Sequence, residues 1–209
     1  MPLIQTTPPA FEPITLAEAR LHLRLDSSMT DDDTLVTMLI SAARCYAEML
    51  TGRSFISQGW RLVLDSFPGP SLIGVPYGTP YSLPGHAILL ERGSVQAVTS
   101  ITYLDMSGAV QTMPPTDWVA DTSGALARVT PVFGKIWPIP MPQIGSVQVN
   151  YTAGYGDTAA SVPEGIRQWI LLRVNTLYEH REEVEVVRGQ IAPMPFVDGL
   201  LDPYRILRF

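Results

Sequence analysis

Apolar residues change their spacing along the chain, and each change predicts a different element. From Thr30 to Gly52, Leu35, Leu39, Ala42/Ala43, Tyr46 and Met49/Leu50 recur at i, i+4, i+7, i+11 and i+15. That spacing puts them on one stripe of a helix of about five turns. Thr30 or Asp31 is placed to cap it, Asp31, Asp32 and Asp33 sit at the positive end of its dipole, and Gly52 supplies the left-handed stop. Upstream, Thr15-Leu16-Ala17-Glu18 has the form of a capping box and opens a short helix to about Leu25. Downstream, Ser161-Val162-Pro163-Glu164 has the same form and opens a helix to about Glu183. Ile166, Trp169/Ile170, Arg173/Val174 and Leu177 line one of its faces, the natural partner of the Leu35–Leu50 stripe.

Between these helices the period falls to two. Trp60, Leu62 and Leu64 alternate with Arg61, Val63 and Asp65, the signature of a half-buried strand. Further strands are predicted at Ala87–Glu91, Val95–Leu104, Ala109–Met113, Trp118–Asp121, Ala125–Val129 and Ser146–Thr152, with a hairpin turn at Asp105–Gly108. Residues 66–86 carry so many prolines and glycines that an exposed loop or lid is expected. Its Tyr77 and Tyr81 are either contact residues or cover for the loop's own cluster. Val132–Pro142 is a second proline-rich connection, anchored by Trp137.

The fold class expected is α+β: an antiparallel bundle of about three helices, an inserted small antiparallel β domain, and an extended C-terminal tail. In residue ranges, 1–52 hold the N-terminal arm and the helices that follow it, and 53–157 the β-rich insertion with its proline-rich loop. Residues 158–188 are the returning helix and 189–209 the tail. The arm, with Pro2, Pro8, Pro9 and Pro13, reads as extended and ordered only against a partner. The helical core is expected at Leu35, Leu39, Tyr46, Leu50, Ile166, Trp169, Ile170 and Leu177. The end of the third helix, EHREEVEVVR, is either a solvated helix end or an inter-subunit salt-bridge strip. The tail ends DPYRILRF, too apolar for a merely disordered terminus, so it folds back on the core or inserts into another chain.

Charge narrows the partners. The chain has 14 basic and 20 acidic residues, a net −6, which argues against duplex binding by phosphate neutralisation. All the basic residues but Lys135 are arginine, which suits packed interfaces and equally reflects nucleotide composition. The lone cysteine, Cys45, reads as a small buried hydrophobe beside the helical stripe. No stretch approaches the about 18 apolar residues of a membrane span, and the N-terminus does not read as a secretory signal, so a cytoplasmic chain is expected. Catalytic chemistry is missing. His22, His86 and His180 lie in separate segments without metal-ligand spacing, and Cys45 has no evident activating histidine. Neither a nucleophile elbow nor a phosphate loop occurs. No catalytic, cofactor or metal site is assigned.

Several segments in order carry a family resemblance: PITLAEARLHLRLD (Pro13–Asp26), LISAARCYAEMLTGRSFISQGWRLVLDSFP (Leu39–Pro68), Val95–Tyr103, VQVNYTAGYGD (Val147–Asp157), PEGIRQWILLRVNTLYEHR (Pro163–Arg181) and the closing LLDPYRI. Together they resemble the head-to-tail connector (neck adaptor) proteins of tailed bacteriophages and related prophages. The resemblance implies a non-enzymatic structural protein of the virion neck, assembled in the host cytoplasm. It implies a ring, commonly of twelve copies, below the portal protein, and a docking surface for a stopper or tail-terminator protein. DNA would pass through the lumen without specific binding, and no membrane is involved. On this reading Tyr204, Ile206, Leu207 and Phe209 are expected as portal anchors, with Arg205 and Arg208 pairing to portal carboxylates, and the β insertion is the outer or tail-facing surface. Two other classes remain: a tail-completion or baseplate protein, and a ligand-binding β module using Trp60, Trp118, Trp137, Tyr77 and Tyr81.

Overall fold

The computed structural model describes residues 2–26, 28, 30–69, 87–180, 197 and 199–206. They fall into two compact units, one built from residues 1–8 and 58–154, the other from 9–57 and 155–209. The chain therefore enters the β unit, leaves it, re-enters and leaves again.

The β unit holds strands β1 (Leu3–Thr7), β2 (Gln58–Leu64), β3 (Ile88–Leu89), β4 (Val95–Leu104), β5 (Val110–Thr112), β6 (Trp118–Asp121), β7 (Arg128–Pro131) and β8 (Val147–Ala153). They form a five-stranded sheet in the order β1-β2-β8-β4-β5 and a three-stranded sheet β3-β7-β6, antiparallel throughout. Central β8 pairs Val149 with Leu62 on one side and Ile101 on the other. Period-2 alternation turns Val147, Val149, Tyr151 and Ala153 into one core, where Ile88 and Val129 from the smaller sheet and the adjoining Leu90 join Trp60, Leu62 and Leu64. Each large side chain in it contributes about 1.5–3 kcal/mol.

β1 corrects one expectation. The N-terminal arm is no partner-dependent extension; Leu3 to Thr7 pair with β2 as an edge strand. Four of its five side chains are exposed, so its place is decided by backbone hydrogen bonds rather than by an apolar face. The seventh strand also lies later than Ala125–Val129, at Arg128–Pro131. Most of the proline-rich loop expected over 66–86, with Tyr77 and Tyr81, lies outside the described residues.

Two turns of this unit are closed by aspartates. Asp105 accepts from the Ser107 and Ala109 N–H groups, the Ser107 hydroxyl and Gln111. Asp121 accepts from the Ser123 hydroxyl and N–H and from Arg128. The Ser107 and Ser123 side-chain bonds lead the causes that hold the two carboxyls at about 2, below the ordinary 3.8. A carboxyl depressed in the fold stabilises it above its unfolded pKa and loses that contribution as pH falls through the folded value. The β unit is therefore expected to lose thermal stability as pH drops from 3.8 to about 2. Melting curves of Asp105→Asn and Asp121→Asn should show a flatter dependence over that interval.

The helical unit contains α1 (Leu16–His22), α2 (Asp33–Thr51) and α3 (Glu164–Glu179). Thr15 closes the predicted capping box with Glu18, and Gly52 ends α2 at φ 70°. α1 stops before the expected Leu25, because Arg24 takes φ 56°. Two caps differ from expectation. α2 starts after Asp32, whose carboxylate instead accepts from the Tyr178 hydroxyl at 2.6 Å. α3 starts after Pro163 with no side-chain cap, because Ser161 is turned toward Thr158 and Glu164 receives Arg167 and Gln168. The last part of the expected helix, residues 181–183, lies outside the described residues.

The largest correction is rotational. The buried stripe of α2 is Val36, Ile40, Ala43, Ala47 and Thr51, one residue on from the predicted one and so turned by about 100°. Leu35, Leu39 and Leu50 become half-buried flanks. Tyr46, expected in the core, is 40% exposed, and Cys45, expected to be buried, is exposed. On α3, Ile166, Trp169, Ile170 and Val174 are buried and Leu177 is half-buried. With Ile14, Phe55, Ile56, Val162 and Leu201 they form the second core.

Candidate assembly surfaces

What this chain can do is set by what its surface offers. Among the described residues no group of three or more His, Cys, Asp or Glu is placed to hold a metal ion. No helix among them is long and apolar enough to cross a membrane. The charged residues work instead as clasps between segments distant in sequence. Arg44 donates to Glu12 at 2.7 Å and to Glu48 at 3.1 Å, while the other Glu48 oxygen accepts the Phe55 N–H at 2.9 Å. Burial opposes the Arg44 charge, but the Glu12 bond and the two carboxylates outweigh it and hold its pKa above the ordinary value. Arg167 reaches Glu18, Glu164 and the Pro13 carbonyl. Arg20 forks onto both Asp33 oxygens at 2.9 Å. These clasps join the segment before α1, the three helices and the turn after α2.

The tail is held in the same way. Leu201 is fully buried, with Val197 and Leu200 packed beside it. The Tyr204 ring lies so close to Gly165 that a Cβ there would meet it at 3.3 Å. The Tyr204 carbonyl accepts from Arg53 at 2.7 Å, and the Ile206 N–H donates to Thr51 at 3.0 Å. Of the six expected portal anchors, Tyr204 and Ile206 thus rest on their own helical unit. Arg205 is exposed and pairs with Asp202 at 3.3 Å. Leu207, Arg208 and Phe209 lie outside the described residues.

Two apolar surfaces went unseen in the sequence. In the β unit, the connection from β7 to β8 turns Phe133, Ile136, Ile139 and Ile144 outward. It is nonetheless ordered: Trp137 stacks on Phe67 at 4.8 Å, Met141 N–H donates to Leu104, and Ser146 ties back to Met141 and Gln143. In the helical unit, the outward side of α2 carries Met38, Ala42, Cys45 and Met49. Apolar residues on both sides of one helix obscure which side faces inward, and spacing alone therefore puts the stripe one residue early. The aromatic platform of a ligand-binding module does not form from the tryptophans. Trp60 and Trp137 are buried in the β core and Trp118 packs against it, while Tyr77 and Tyr81 lie outside the described residues.

This architecture, a three-helix unit interrupted by an antiparallel β unit, is one found in known proteins. Residues 13–83 match the model of the phage gp6-like head-tail connector protein family. No curated protein matches the chain. Among solved structures, a chain in the neck of an empty gene transfer agent particle, computed with C6 symmetry, is 25% identical at a TM-score of 0.79. A chain of the native gene transfer agent virion is 25% identical at 0.77, and one in the native neck computed with C12 symmetry is 24% identical at 0.72. In each case the match covers 100% of this chain and 97% of the other. The expected resemblance to head–tail connectors and the expected α+β class both stand. The likeness extends over the β unit as well as over the segment matched by the family model.

Proposed function

We propose that this chain is a structural head–tail connector of a phage-like particle, a component of its neck. The observation that carries the reading is the full-length match to neck chains of a gene transfer agent, in which both units and the returning tail take part. The surface is compatible with it. The described residues offer clasps and exposed apolar faces, suited to assembly. The net charge of −6 suits a channel through which DNA must slide without counterion-releasing contacts.

In finer detail, copies of the chain form a ring, twelve in number, that sits on the portal protein and presents its far side to a stopper or tail terminator. Tyr204 and Ile206 fix the root of the tail on its own subunit. Leu207 and Phe209 then reach into the portal, with Arg205 and Arg208 beside portal carboxylates. The test is partition. In particles disrupted into heads and tails, the protein should co-purify with portal-bearing heads. Recovery with tail tubes would move it to a tail-completion role. Deleting residues 207–209 should leave a folded chain that no longer joins heads, and undiminished joining would refute the tail assignment.

A further inference from the structure

α2 has a second face that the fold of one chain leaves uncovered. Met38, Ala42, Cys45 and Met49 repeat the spacing of the buried stripe two residues later, which sets them about 200° around the helix from it. Met38 is 60% exposed and Met49 65%. From Thr34 to Thr51, over roughly 25 Å, the only charged residues are Arg44 and Glu48, and both are turned inward and buried. A solvent-facing side of a surface helix ordinarily carries charge, and a helix apolar all round is ordinarily covered on all sides. The buried stripe of α2 packs against α1 and α3, and the outer face of α2 shares no residue with the groove between α1 and α3. That groove, of about 300 Å³, is lined by Ile14, Leu21 and Leu171 together with His22, Gln168 and the carboxylates Glu18 and Glu164, both paired with Arg167. Leu21 stands 81% exposed there.

A ring of identical chains needs two different patches, one on each flank of the subunit, because a head-to-tail interface is heterologous. Necks with C6 and C12 symmetry contain chains that match this one from end to end. We propose that the outer face of α2 is the lateral contact of the neck ring, seated in the α1–α3 groove of the next copy around Leu21. The proposal rests on the neck reading and specifies the surface that closes the ring. Met38 and Met49 enter the groove beside Leu21 and Leu171; the α2 face brings no ion to strip of water, and the groove's Glu18 and Glu164 keep Arg167 as their partner.

Cys45 is the sole cysteine and lies on this face, so it reports on coverage. Maleimide should modify it readily in the free chain and about tenfold more slowly or less in intact particles. A Leu21→Cys variant, cross-linked in particles with a short bismaleimide, should give a ladder of multiples of this chain, and adding Cys45→Ser should abolish it. Met49→Glu, at an exposed position, should leave the melting temperature of the free chain unchanged and cut incorporation into necks at least tenfold. The proposal is overturned by equal labelling of Cys45 in particles and free chain, or by protection without a ladder. A product of one chain plus a different protein, or wild-type incorporation of folded Met49→Glu, overturns it as well. Any of these results with the protein still present in necks leaves the neck reading standing. Absence of the protein from purified particles removes both.

Discussion

Arg44→Ala is expected to destabilise the helical unit by about 3–5 kcal/mol, the range for breaking a buried ion pair by removing one partner. At ~2–4 °C per kcal/mol for a chain of this size, its melting temperature should fall by roughly 6–20 °C. The reason lies in what the arginine leaves behind. Glu48 is 6% exposed and would keep a buried charge without the guanidinium that balances it. Glu12 would lose its bond at 2.7 Å, and the segment before α1 would lose its hold on α2. Charge, rather than lost volume, should dominate. A double variant, Arg44→Met with Glu48→Gln, removes both buried charges yet keeps an acceptor for Phe55, and it should recover more than half of the loss. Scanning calorimetry of the two variants checks this. Equal losses in both would mean that packing alone was at stake.

Trp169→Ala is expected to cost about 3–5 kcal/mol, the usual range for emptying a large aromatic site in a core. Trp169 is 1% exposed in the middle of α3, and its ring lies 5.9 Å from that of Tyr46 on α2. Arg173 lies over the other ring of this pair, 5.3 Å from the Tyr46 centroid. The cavity would therefore open beneath the outer side of α2. Denaturant unfolding followed by helical circular dichroism measures the effect. A loss near 1 kcal/mol would show that the α2–α3 seam closes over the gap, against the close packing described above.

The contrast between what could and could not be read from the sequence follows from where the physical signal sits. β4 and β6 were legible at Val95–Leu104 and Trp118–Asp121, because their flanking turns are strong and β-formers fill them. The alternation of β2 was legible at Trp60, Leu62 and Leu64 for the same kind of reason, one buried face. β1 was not, because Leu3 to Thr7 carry no periodic apolar signal and are placed by a ladder to residues more than fifty positions away. The existence and the glycine stop of α2 were plain, but its direction was ambiguous by one residue, since both of its faces are apolar. The buried Arg44–Glu48 pair has the i, i+4 spacing of an ordinary surface pair, and nothing local says that it is buried or that Glu12 completes it. The tail was legible only as an apolar terminus. That Tyr204 rests against Gly165, and that Ile206 bonds to Thr51, needed the fold.

The most direct test of the neck assignment is a symmetry-resolved cryo-electron-microscopy map of the neck of the particle that carries this chain. The expected map shows a ring of repeated copies next to the portal, each with helices α1–α3 and both β sheets fitting the density. A neck whose density at that level is fully explained by other chains, with this protein found only along the tail, would contradict it.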